Sequence, residues 1–239
     1  MQQEKIQVEI WSDIACPFCY IGKTNFEKAL AAFPQHEAVV VVWKSFQLTP
    51  DIKTDPSISL YESLAASKRM SVEQARGMTT HVNQVAKDAG LAFHFDKVVV
   101  ANTRNAHRLL HEASKHGVQN QLKQELLKAY FTEGKNIDHA ETLQELATIA
   151  GVPANRTKTV LDSDEYGYEV VQDIQEAGKL GVSGVPFFVF DRKYAISGAQ
   201  PVAAFSEVLE KLVNESALIK ESLNNEDSSD SSCDIEGSC

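Results

Sequence analysis

Cys16 and Cys19, separated by Pro17 and Phe18, are the residues whose types and spacing could do chemistry in this chain. Two thiols at i and i+3 in the first turn of a helix share one face and lie within reach of a disulfide. That turn also offers unpaired N–H groups and the positive end of the helix dipole, which favour a thiolate on Cys16. A thiolate is the attacking species in disulfide exchange, and a lower thiol pKa also makes a better leaving group. The spacing therefore predicts a redox pair, with Cys16 attacking and Cys19 resolving. The other use of such a pair, half of a four-cysteine zinc site, needs a second pair of ligands. The remaining cysteines, Cys233 and Cys239, sit in a terminal stretch of serines and acids. No metal is expected.

Other residues stand near this motif or share its chemistry. Asp13, three residues before Cys16, can tune the thiol or take its proton; it can equally cap the start of the helix. His107 and His111 are spaced i, i+4 with His116 close by, a spacing that can bind a metal. Arg108, Leu109 and Leu110 lie between them, with no glutamate in the zinc-protease position, so a packed or surface pair is expected. Val185-Pro186 opens a strand after a long helix, an ordinary place for proline. Phe93, Phe95, Phe187, Phe188 and Phe190 are expected in the core.

These residues need elements to hold them. Ile6, Val8 and Ile10 alternate with polar residues and run into Trp11, a half-buried strand. Cys16 to about Phe33 reads as a helix, with Pro17 in the first turn where its missing N–H costs nothing. Ala38 to Phe46 is Val-rich, a second strand. A long helical middle follows. Ser71-Val72-Glu73-Gln74 is a capping box before Ala75, Met78, Val82 and Val85, and Asp138 with Glu141 is expected to cap a later helix. Strands return at Pro186–Phe190 and Tyr194–Ser197 around a turn at Asp191-Arg192-Lys193, and a helix starts at Pro201. The order is β-α-β, a helical block, then α-β-β-α. It predicts an α/β fold in which residues 1–50 and 178–223 form two halves of one sheet domain. Residues 51–177 form a helical insertion, and 224–239 an acidic, Ser-rich flexible tail.

Composition bounds the function. The chain has 239 residues and a formal net charge of −10. Glu221 to Cys239 holds six acids and no Lys or Arg, so the tail carries −6 and the body −4. A body without a basic excess argues against a nucleic-acid partner and against an anionic membrane surface. No segment approaches the ~20 apolar residues of a membrane span. The first residues run straight into a strand with no basic and then apolar leader, which predicts a cytoplasmic protein.

The strand, Cys16-Pro17-Phe18-Cys19, helix, helical insertion and Gly181-Val182-Ser183-Gly184-Val185-Pro186 before a hairpin together resemble the DsbA-like branch of the thioredoxin superfamily. The segment from Trp11 to Lys23 is similar to the FrnE-type cytosolic oxidoreductases. So are Asn102-Thr103 with Ala106-His107-Arg108, and Val182 to Phe188. The resemblance spans about residues 5–220 and implies a thioredoxin fold with a large all-helical insertion. It implies a thiol–disulfide oxidoreductase that oxidises, reduces or isomerises disulfides in proteins or peptides. Pro186 would be cis and face the Cys16 sulfur. Val185 would pair with an extended substrate segment by strand addition, with Pro17 and Phe18 beside it. The expected redox group is the disulfide itself, with no tightly bound cofactor. The electron partner would be thioredoxin or glutathione, the latter acting as a reductant. Phe18 departs from the many family members that carry histidine there.

Some FrnE-type proteins carry a C-terminal cysteine pair, usually with four residues between; Cys233 and Cys239 have five. They are expected to be either a mobile second redox pair or thiols without a role. Two other functions share much of this pattern. Glutathione-dependent isomerases and transferases, of the 2-hydroxychromene-2-carboxylate isomerase and kappa-class types, place serine where Cys16 stands. A peptide-binding chaperone would use the same groove without turnover.

Overall fold

The computed structural model describes residues 5–227. Strand β1 (Ile6–Ser12) leads into α1 (Pro17–Ala32), and β2 (Val39–Ser45) follows. The helices α2 (Leu60–Lys68), α3 (Val72–Asp88), α4 (Arg104–Lys115), α5 (Gln119–Lys128), α6 (Ala140–Ala150) and α7 (Ala154–Asp162) come next. Helix α8 (Gly167–Lys179), strands β3 (Phe187–Phe190) and β4 (Tyr194–Ser197), and α9 (Val202–Asp227) complete the order. The strands form one sheet in the order β2-β1-β3-β4. β1 pairs parallel to β2 and antiparallel to β3, with Val8 opposite Phe190 and Trp11 opposite Phe187. This is the α/β sheet with a helical insertion that the pattern of elements predicts.

Alternation along the strands gives the sheet two covered faces. Ile6, Val8, Ile10, Phe188 and Phe190 pack with Phe26 of α1 and with Phe205 and Leu209 of α9. On the other face Trp11 and Val189 meet Ala177 of α8, and the Trp11 indole N–H donates to the Asp173 carbonyl at 2.9 Å. Helix α8 is therefore a cover of the sheet. It also packs on α4, where His111 meets Asp173, so a boundary at 177 falls within a helix shared by the sheet and the insertion. The hairpin turns through left-handed backbone at Asp191 and Arg192 (φ 49° and 55°).

The insertion has its own core, in which Phe93, Phe95 and Phe131 stack with Leu109, Leu126 and Leu143. The first turns of α1 contribute Tyr20 and Ile21 to that core, while Phe26 and Ala29 of the same helix belong to the sheet's core. The capping box at Ser71 and Gln74 forms as expected. The one expected at Asp138 does not: its carboxylate accepts from Thr54 and Asn105, and His139 takes the N-cap position of α6. Long-range bonds won over the local cap. Helix α9 runs through residues 224–227, placed in the tail by composition. The rest of the tail, with Cys233 and Cys239, lies outside the described residues.

Candidate active site

The N-terminus of α1 points at the loop between α8 and β3. Cys16 is the N-cap residue, with Pro17 behind it in the first turn and no side-chain cap. The Cys16 thiol lies 3.5 Å from the Val185 carbonyl, to which it can donate, and the Val185–Pro186 peptide is cis. The two sequence motifs, 169 residues apart, thus meet in one place. Gly22 makes the approach feasible: a Cβ there would lie 2.9 Å from Pro186 Cγ. Phe18 is 40% exposed, an apolar surface beside the sulfurs, and Pro17 and Val185 are half-buried.

Both cysteines are free thiols. Cys16 is 4% exposed and Cys19 0%, so Cys16 is the more accessible of the two sulfurs. The hydrogen bond to Cys19, burial and the neighbouring sulfur's charge all push the Cys16 thiol well up. Burial opposes charge on Cys19 too, but the Cys16 hydrogen bond, the Lys123 ammonium and the Ser12 hydroxyl outweigh it and hold Cys19 below an ordinary thiol. Of the two, Cys19 is the sulfur whose charge these surroundings favour, because the Lys123 ammonium lies on its side.

Asp13 caps neither end of α1 with a short bond. Its carboxylate accepts from the Leu48 N–H at 2.9 Å and lies 3.3 Å from His107 Nε2. Burial works against its charge, but the His107 bond and those from Leu48 and Thr103 hold the carboxyl below the usual aspartate range. Burial pushes His107 down as well, so a neutral ring donates from Nε2, and Nδ1 is left without a partner. His111 instead meets Ser45 Oγ and Asp173, each at 3.2 Å, and His116 lies 2.7 Å from Glu112. The histidines serve three separate contacts. Among the described residues no group of three His, Cys, Asp or Glu is placed to hold a metal ion.

Lys123 and Ser12 are the site residues missed in the sequence. Lys123 is fully buried on α5, over the Trp43 ring at 5.3 Å. A signal existed: Gln119, Leu122, Lys123, Leu126 and Leu127 form the buried face of α5 at helical spacing, and lysine is anomalous on such a face.

The DSBA-like thioredoxin domain model matches residues 7–210. A crystal structure described as a probable DsbA oxidoreductase of Streptomyces coelicolor is 40% identical, with a TM-score of 0.80, over 88% of this chain and 91% of that one. An uncharacterized Bacillus subtilis protein, YwbO, is 25% identical over 88% of this chain and 96% of its own length. The cytosolic disulfide reductase DsbM of Pseudomonas aeruginosa, solved with GSH, shares the fold at a TM-score of 0.62 and 16% identity, over 87% of this chain and 99% of its own. Among the described residues no helix is long and apolar enough to cross a membrane.

Proposed function

The chain belongs to the DSBA-like thioredoxin domain family, and from that membership we propose that it is a thiol–disulfide oxidoreductase acting on protein or peptide disulfides. Cys16 is the attacking sulfur and Cys19 the resolving one. The observation that carries this reading is the Cys16 thiol lying against the Val185 carbonyl at 3.5 Å, with Cys19 behind it fully buried. As a substrate disulfide approaches, Cys19 takes the Cys16 proton. The Cys16 thiolate then attacks one substrate sulfur, and the other substrate sulfur leaves as a thiolate. Cys19 next gives its proton to the released substrate thiolate and attacks Cys16, which frees the second substrate sulfur as a thiolate and leaves a Cys16–Cys19 disulfide. Val185 and Pro186 with Pro17 and Phe18 form the substrate's side of the site. The extended segment before β3 suits a substrate lying as an added strand.

A cytoplasmic setting and a thiol electron partner, thioredoxin or glutathione, fit this reading. The GSH in the DsbM structure and that protein's cytosolic assignment support them. In a compartment held reducing, the net direction would be reduction of substrates. The test is insulin reduction with glutathione or thioredoxin as the electron source. Turnover in the wild type and its loss in Cys16→Ser is the expected result. A wild type inactive there but turning over a glutathione conjugate or isomerisation substrate would move the assignment to the glutathione-dependent isomerases and transferases.

A further inference from the structure

Four buried side-chain polar atoms among the described residues have no hydrogen-bond partner: Ser12 Oγ, Asn83 Oδ1, His107 Nδ1 and Lys123 Nζ. Three of them belong to residues that bear on the sulfur pair, directly or through Asp13. Ser12 and Lys123 both act on Cys19, and His107 holds Asp13, whose charge bears on Cys16. The ammonium is the odd member. Burying an unpaired lysine is costly, and Lys123 makes no short ion pair among the described residues. Trp43 offers it only a ring face at 5.3 Å. Lys23, the other buried lysine, instead has Glu27 and Gln124 at 2.7 and 2.8 Å. An ammonium kept without a hydrogen-bond partner here has its counter-charge first in the Cys19 sulfur, then in Asp13 and Cys16.

We infer that Lys123 is the internal counter-charge of the Cys16–Cys19 pair: it holds a proton while Cys19 is a thiolate and gives that proton up when the sulfurs are joined, so the buried chamber keeps its net charge in both redox states. This rests on the proposed redox role of the pair and adds a positioning residue that acts through Cys19. The exchange balances. Two equivalents of a thiol reductant become one disulfide. The Cys16–Cys19 bond breaks, one proton goes to Cys16 Sγ and one to the neutral Lys123 amine, and Cys19 is left as a thiolate beside an ammonium.

Burial lowers Lys123 to about 8 in the dithiol form. The groups that face it are Cys19, Asp13 and Cys16, which favour its charge, and Lys23, which opposes it; the imidazole of His107 also lies within reach of its charge. Joining the sulfurs removes two of the three favourable groups, so the amine's pKa falls further on oxidation. The proton exchange is therefore centred at and below about pH 8.

The experiment follows the lysine side-chain resonances of the whole protein by NMR against pH, in the dithiol and disulfide forms, with Lys123→Met and Lys123→Arg for assignment. One lysine is expected to titrate near pH 8 in the dithiol form and lower in the disulfide form. Thiolate absorbance read on the same samples should show a midpoint at least tenfold higher in proton dissociation for the wild type than for Lys123→Met, with Lys123→Arg close to the wild type. A removal that merely loosens packing would not be rescued by arginine in this readout. If neither variant folds, the wild-type spectra decide. Lysines that all titrate near the ordinary value of about 10.4, unmoved by redox state, overturn the inference; so does an unchanged thiolate midpoint in Lys123→Met. Failure of the wild type to reduce insulin would instead overturn the redox assignment, whatever the lysine does.

Discussion

Replacing Gly22 with alanine measures how closely the active-site helix is seated on the proline loop. A Cβ at Gly22 would lie 2.9 Å from Pro186 Cγ and 3.4 Å from both Phe188 Cζ and the Ala199 Cα, against the ~3.5–4.0 Å of relaxed carbon contact. None of the three neighbours can swing away. Pro186 is a ring closed on its own backbone, Phe188 is fully buried, and the Ala199 atom is main chain. Overpacking of this kind costs about 1–3 kcal/mol. Alanine in place of glycine inside a helix contributes about 0.8–1.0 kcal/mol in the other direction. Gly77, exposed on α3 with nothing within 4 Å of an added Cβ, isolates the second effect. Equilibrium urea unfolding should thus show Gly77→Ala stabilised by about 1 kcal/mol, and Gly22→Ala lower than it by about 1–3 kcal/mol. Gly22→Ala should also speed alkylation of Cys16, because displacing Pro186 disturbs the 3.5 Å contact in which the buried thiol donates to the Val185 carbonyl. A Gly22→Ala protein that gains as much stability as Gly77→Ala, with Cys16 equally reactive, would refute the close seating.

Glu112, 2% exposed at its side chain, is held down to about 2, first by Arg156 and then by His116 and Tyr166. Its folded value lies below the ordinary 4.5, so its contribution is complete above about pH 4.5 and is lost as pH falls toward about 2. At about 1.4 kcal/mol per unit that is roughly 3 kcal/mol. Urea curves at a series of acidic pH values should show Glu112→Gln starting lower and falling less than the wild type, and parallel curves would contradict this. Asp13→Ala leaves the Leu48 N–H and the His107 ring without their acceptor. It should lower unfolding free energy by roughly 2–4 kcal/mol; a change below about 1 kcal/mol would show that other groups take over. Cys233→Ser with Cys239→Ser should slow turnover on a protein disulfide if the tail pair relays electrons, and equal rates in a coupled reductase assay would remove it from the pathway.

The site was legible in sequence where chemistry is local. Cys16-Pro17-Phe18-Cys19 gives its own helix start, and Val185-Pro186 gives a strand start. The contact between them was implied only by resemblance, since no local rule joins residues 169 apart. Phe93, Phe95, Phe188 and Phe190 read as core and are core, while Phe187, expected with them, is half-buried at the start of β3. Lys123 was overlooked because helical patterning treats lysine as solvent-facing, and its burial depends on Trp43 from β2. The role of α8 was hidden for a related reason. Asp173 and Glu176 look like surface acids, yet they face the sheet, accepting from the Ser45 N–H and pairing with Lys44.

The pairing of β1 with β3 sets the order in which this molecule can assemble. Val8 meets Phe190 and Ile10 meets Phe188, so the centre of the sheet closes a loop containing most of the chain. Such long closures are slow compared with contacts between neighbouring helices. The insertion, built from helices adjacent in sequence, lies between the partners and can consolidate first. During synthesis the cysteine motif leaves the ribosome well before Pro186 exists. Until the last quarter of the chain arrives, Cys16 is a thiol without its facing loop, open to any oxidant or stray disulfide. The fold delays the loop that faces Cys16 to the end of its own making.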